Sequence, residues 1–128
     1  MEKKSVKLNK SKYIGSAILA LSKTVVCDFH YNYMMKKFMD CKLLFSDTDI
    51  LCYSIPGVED IYKEIKDSEW FDFSNFPKNH PNFNVDNKMI SGKFKNESQA
   101  NPILEFVGLR SKMYSILPME GHKKATAK

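Results

Sequence analysis

The chain has 128 residues, 43% of them hydrophobic, and a formal charge of +5 carried almost wholly by lysine, Arg110 being the only arginine. That suffices for one domain around one core, and the basic surplus suits phosphate-bearing partners while being equally common on plain soluble surfaces. Cys27, Cys41 and Cys52 are an odd count without CxxC spacing, which suggests neither a disulfide framework nor a zinc site and points to a reducing, intracellular setting; no apolar run is long enough to span a bilayer.

The basic start followed by "YIGSAILAL" has the outline of a signal peptide, but the run is short, contains Ser16 and flows into a helical pattern, so a helix is the expectation. Ile14, Ile18, Leu21, Val25, Phe29 and Tyr33 recur at spacings of three and four, predicting one long helix to about Phe38 that packs along this stripe. His30 lies off the stripe and reads as a surface or partly buried residue rather than a ligand. Next, "KLLF", "SDTD" and "ILCYSI" read as a hairpin closed by Pro56 and Gly57,. Val58, Ile61, Tyr62 and Ile65 predict a short second helix with Glu59 and Asp60 in its first turn and a Glu59–Lys63 pair,.

Residues 67–87 carry two prolines and five aromatics, Trp70, Phe71, Phe73, Phe76 and Phe83. A disordered linker would not hold so many rings, so an ordered loop is expected, its rings plugging the core or, as the alternative, forming a platform for stacked bases. "KMISGKFKNE" and "ILEFVGLRSKMYSIL" read as strands. In the latter, alternation sets Arg110, Lys112 and Tyr114 on one basic face and Val107, Leu109 and Met113 on a buried one. The tail, residues 118–128, reads as basic, polar and frayed.

Asp47 and Asp49 interrupt the apolar hairpin. Two residues apart on extended backbone, roughly 6–7 Å along the strand, they would point to one side and converge on cations. Magnesium takes oxygen ligands and uses one or two carboxylates beside water and phosphate, and paired metals serve phosphoryl transfer. A plain turn, with Asp and Ser satisfying local backbone groups, is the competing reading. The haloacid-dehalogenase type of phosphatase also places DxD after a strand, but there a glycine-containing loop and a helix follow, whereas here "ILCYSI" follows.

"LLFSDTDILCY" resembles the third polymerase motif of family B DNA polymerases, and "GLRSKMYSI" resembles the Lys-x-Tyr strand that follows it. The order of "LNKSKYIGSAILALSKTVVCDFHYNYMMKKF", the DTD hairpin, "EDIYKEIKDSEWFDFSNFPKNHP", "GKFKNE" and "EFVGLRSKMYSI" is similar to the protein-primed branch of Polinton or Maverick-like transposons and related viruses, over about Leu8 to Leu117. The resemblance implies that Asp47 and Asp49 are catalytic metal ligands for magnesium or manganese, and that Lys112 and Tyr114 hold the primer end. Arg110 is expected as a further phosphate contact. Ile50 stands where the family usually has serine, and Phe45 where tyrosine is common.

The family also needs an earlier metal-binding aspartate and a lysine-bearing fingers helix, neither of which is found in this sequence. The expectation is therefore an α+β fold, a long and a short helix on an antiparallel sheet, with residues 1–117 as a partial palm and 118–128 as the tail. The implied activity is DNA-directed DNA synthesis on primer-template with deoxynucleoside triphosphates, in the nucleus or at a viral replication site. The chain alone is expected to be inactive without the missing N-terminal polymerase portion. Two alternatives stand beside it: a non-catalytic, domesticated DNA-binding module, and a small metal-dependent phosphatase.

Overall fold

The computed structural model describes residues 11–98, 101–110, 112–121 and 124–127. The predicted long helix forms, but in three pieces: α1 (Lys12–Asp28), a π-helical segment (Phe29–Met34) and a final turn, α2 (Met35–Lys37). The π segment explains which side chains turn inward. Phe29 and Met34, both buried, lie five apart, the repeat of π-type hydrogen bonding, whereas a strict α-helix would swing Met34 off the face.

Burial along the predicted stripe is uneven. Phe29 is 3% exposed and Tyr33 is partly buried against the core. By contrast Ile14, Ile18 and Leu21 stay open to solvent, so the expectation of packing along the whole stripe fails for the first three turns.

Strands β1 (Lys42–Asp47) and β2 (Ile50–Ser54) form the predicted antiparallel hairpin. Gly57 follows Pro56 at φ +78°, the left-handed position that a proline-glycine turn requires. The short helix α3 spans Ile61–Ile65, and Asp60 caps it by accepting from the Tyr62 N–H at 3.0 Å. Because Asp60 sits at the cap, Lys63 pairs with it at 4.0 Å instead of with Glu59 four residues back.

The loop after α3 is ordered by its rings, as expected. Phe29 is the hub: its ring centroid lies 4.1 Å from Phe94 in a stacked pair and 5.6 Å from each of Tyr33, Trp70 and Phe71. Phe73 and Phe76 are buried, and Tyr62 meets Phe76 edge-on at 5.0 Å. Offset and edge-on pairs of this kind add about 0.5–1.5 kcal/mol each beyond area burial. The two-residue strands β3 (Phe71–Asp72) and β4 (Phe94–Lys95) run parallel through this cluster. "KMISGKFKNE" is therefore mostly turns, with β4 as its only strand among the described residues.

Asp72, 2% exposed, ties the loop together. It accepts from the Ser74 N–H at 2.9 Å and the Met89 N–H at 3.4 Å, and pairs with the Lys95 ammonium at 3.3 Å. Burial alone would raise its carboxyl pKa, but these partners outweigh it and hold the group below its ordinary value,.

The C-terminal stretch departs most from expectation. What reads as one strand is a hairpin, β5 (Ile103–Arg110) and β6 (Met113–Pro118), with Lys112 in the turn before β6. Part of the tail expected to fray adds a third strand, β7 (Lys124–Ala127), antiparallel to β6. The fold is thus α+β, with one long helix and small separate sheets rather than one continuous antiparallel sheet. Val107 and Leu109, expected inside, are exposed.

Candidate functional site at the facing hairpins

The β1–β2 hairpin has two unlike faces. Ser46 pairs with Leu51, and Leu51 and Tyr53 turn to the aromatic core. The other face carries Phe45 and Asp47, opposite Cys52 and Ile50, because strand residues two apart share a side. On the core side, His30 Nδ1 lies 2.8 Å from the Tyr53 hydroxyl, fastening the π segment to β2. Burial is the main reason that the Tyr53 phenol titrates far above its ordinary range.

Phe45 is what joins the two hairpins. Its ring stacks on Tyr114 of β6 at 4.2 Å between centroids, with 19° between planes, and on Phe106 of β5 at 5.5 Å and 11°. Gly108, directly across from Tyr114, makes room for this stack. A Cβ at position 108 would meet two ring atoms of Phe106 at 3.0 Å, so any side chain there would push Phe106 aside.

With the rings engaged, the two turns face each other. The Lys112 ammonium lies 3.5 Å from Asp47 Oδ1. Both side chains remain about half open to solvent or less, so the pair itself contributes on the order of 0–1 kcal/mol to stability. Both turns hold a non-glycine residue in the left-handed region, Thr48 at φ 59° and Lys112 at φ 60°. Such positions cost roughly 1–2 kcal/mol each and gather at functional turns.

Asp47 and Asp49 lie at the hairpin tip, as the sequence suggests, but not as neighbours on one extended strand. Asp47 ends β1 and Asp49 belongs to the turn, its N–H bonding back to the Asp47 carbonyl at 2.8 Å. With Thr48 left-handed between them, the same-side spacing of extended backbone does not apply. Asp47 looks toward Lys112, whereas Asp49 stands on the wall of a cleft of about 980 Å³ lined by Leu21 and Val25 of α1, Leu51 and Tyr114.

The basic face is corrected in the same way. Arg110 ends β5, Lys112 sits in the turn and Tyr114 lies on β6, so the three do not share one face of one strand. The turn nevertheless brings Lys112 and Tyr114 to the β1–β2 hairpin. Arg110 is exposed beside the turn, Cα-paired with Met113.

No protein-family model, curated protein or solved structure matches the chain. Among the described residues no three His, Cys, Asp or Glu side chains converge as a metal cluster, and no helix is long and apolar enough to cross a membrane. Asp47 and Asp49 are hard oxygen donors on an open tip, a donor set of the kind magnesium accepts when other ligands complete the shell. Sequence reasoning passed over Phe106 and Gly108. Alternation along "EFVGL" was the available signal, placing both on the side that meets Phe45.

Proposed function

We propose that the chain carries the C-terminal part of the palm of a family B DNA polymerase of the protein-primed, Polinton or Maverick-like type. The observation that supports this best is the approach of Lys112 to Asp47 at 3.5 Å over the Phe45–Tyr114 stack. Two motifs more than sixty residues apart in sequence, each resembling a polymerase motif, form a single surface. A carboxylate tip beside a lysine and a tyrosine suits a primer terminus, since an ammonium neutralises phosphate and a phenol hydroxyl bonds phosphate or sugar oxygen without reading sequence.

In this reading Asp47 and Asp49 would hold magnesium or manganese, which would supply charge neutralisation for phosphoryl transfer. Lys112 and Tyr114 position the primer backbone, and Arg110 adds a phosphate contact from the edge of the same turn. Among the described residues no third carboxylate joins Asp47 and Asp49, a shortage that would leave metals and nucleotide poorly aligned. Extension by this chain alone is therefore not expected. That same shortage favours the second reading, a DNA-binding module without chemistry. The phosphatase reading loses ground because DTD is followed by a paired strand, where that enzyme class has a loop and a helix.

The test is duplex DNA binding across a salt series. Sequence-independent binding is expected, with Lys112→Ala weakening it alike for all sequences and lowering the salt slope by about one. Binding that ignores Lys112 would remove the support for the Lys-x-Tyr assignment. Primer extension abolished by Asp49→Asn would show that the isolated chain is a working enzyme.

A further inference from the structure

The surface of this chain is too large for a self-sufficient monomer. Its accessible area is 10479 Å², whereas a compact protein of 14.8 kDa exposes about 7,000 Å². Sixteen residues lie outside the described set. Counting every one as fully extended accounts for about half of the excess and leaves about 1,700 Å², roughly twice what one partner contributes to a standard protein interface. Part of the excess lies on α1 and part on β5, where Ile103, Leu104, Val107 and Leu109 are exposed. Every residue from Ser11 to Leu21 is exposed, including Tyr13 at 90%, Ile18 at 60% and Leu21 at 67%. Helical stability comes mostly from packing of an amphipathic face, and these first turns bury none of their residues.

The exposed part of α1 is written as a seam for another helix. Ile14, Ile18, Leu21 and Val25 are spaced four, three and four, the alternation that keeps one narrow stripe facing a neighbouring helix. The positions flanking that stripe are Gly15, Ala17, Ser22 and Thr24, all small and uncharged, while Lys12 and Lys23 point away from it,. A copy of the same helix can therefore approach closely without facing like charges. Antiparallel pairing also sets the helix dipoles against each other favourably. Val25 already rests near Gly92 of its own chain, so the open stripe is centred on Ile18.

We propose that α1 is a homodimer interface in which two copies pack antiparallel along Ile14, Ile18 and Leu21. Ile18 and Leu21 also line the cleft that Asp49 and Tyr114 share, so the seam borders the candidate site; its test reads association alone and can fail without touching the polymerase reading. Sedimentation of the purified chain over a wide concentration range should show a monomer–dimer equilibrium. Ile18→Glu should weaken the dimer at least ~100-fold, because two desolvated like charges would meet at the centre. Mixing Ile18→Glu with Ile18→Lys should restore association as a heterodimer, which mere unfolding of the helix could not do. Leu109→Glu, at an exposed apolar site on β5, should leave the dimer intact. A chain that stays monomeric throughout, a dimer indifferent to Ile18→Glu, failure of the charge-paired mixture, or a dimer broken by Leu109→Glu would each overturn the proposal.

Discussion

The aromatic cluster around Phe29 and the pair of hairpins around Asp47 both rest on stacked rings, but they use them differently. In the cluster Phe29, Phe73 and Phe76 are buried among partly covered rings, the loop backbone is tied by a buried carboxylate and strands of two residues suffice. At the hairpins three rings are only partly covered, and they bring together two open turns bearing Asp47, Asp49 and Lys112. Stability is concentrated in the first region, which leaves the second free to keep charged groups where solvent and a ligand can reach them.

Phe29→Ala is the severest way to test this division. It empties the hub of four ring contacts and should cost about 3–5 kcal/mol, seen as a large drop in the denaturant midpoint. A loss below about 1 kcal/mol would mean that the cluster is not the seat of stability.

Asp72→Asn should come next, at about 1–3 kcal/mol near neutral pH, since it removes the charge that Lys95 and two backbone N–H groups address,. The sign with pH follows from the lowered carboxyl pKa. The native chain keeps this stabilisation fully above about pH 4 and loses it as pH falls through the folded value, so the gap between the two proteins should close in acid. A gap that widened in acid would contradict the assignment.

The smallest effect on stability belongs to Phe45→Leu, expected at about 1 kcal/mol from the lost stacking. Its effect on DNA affinity should be larger than its effect on stability implies, because Phe45 aligns Lys112 with Asp47. Equal loss of both would make the ring ordinary packing.

Much of this was legible in the residues. The long helix, the DTD hairpin and the ring-filled loop each carry a local signal: a spacing of three and four, a polar break between apolar runs, and five aromatics among prolines and asparagines. What escaped depends on distant partners. Nothing local says that Met34 is to be buried in place of Leu21; the π segment follows from where the ring cluster lies. The turn at Lys112 was hidden because "RSK" lacks the glycine, asparagine or proline that usually marks reversal, and alternation continued plausibly across it. Lys95, read only as part of a strand, became the partner of Asp72 through a parallel pairing of two residues. For the candidate site, the residue types were visible but their grouping was not. Arg110, Lys112 and Tyr114 were assigned to one strand face and instead surround a turn.

The left-handed backbone at Lys112 has a consequence for how this chain would change under selection for robustness alone. Glycine at that position would relax the turn and recover on the order of 1 kcal/mol, at the expense of the only ammonium paired with Asp47 among the described residues. Selection on folding and selection on the amine therefore pull position 112 in opposite directions. A library sorted first for thermal tolerance and then for DNA retention would reveal which has the stronger hold: glycine should accumulate in the first round and vanish in the second.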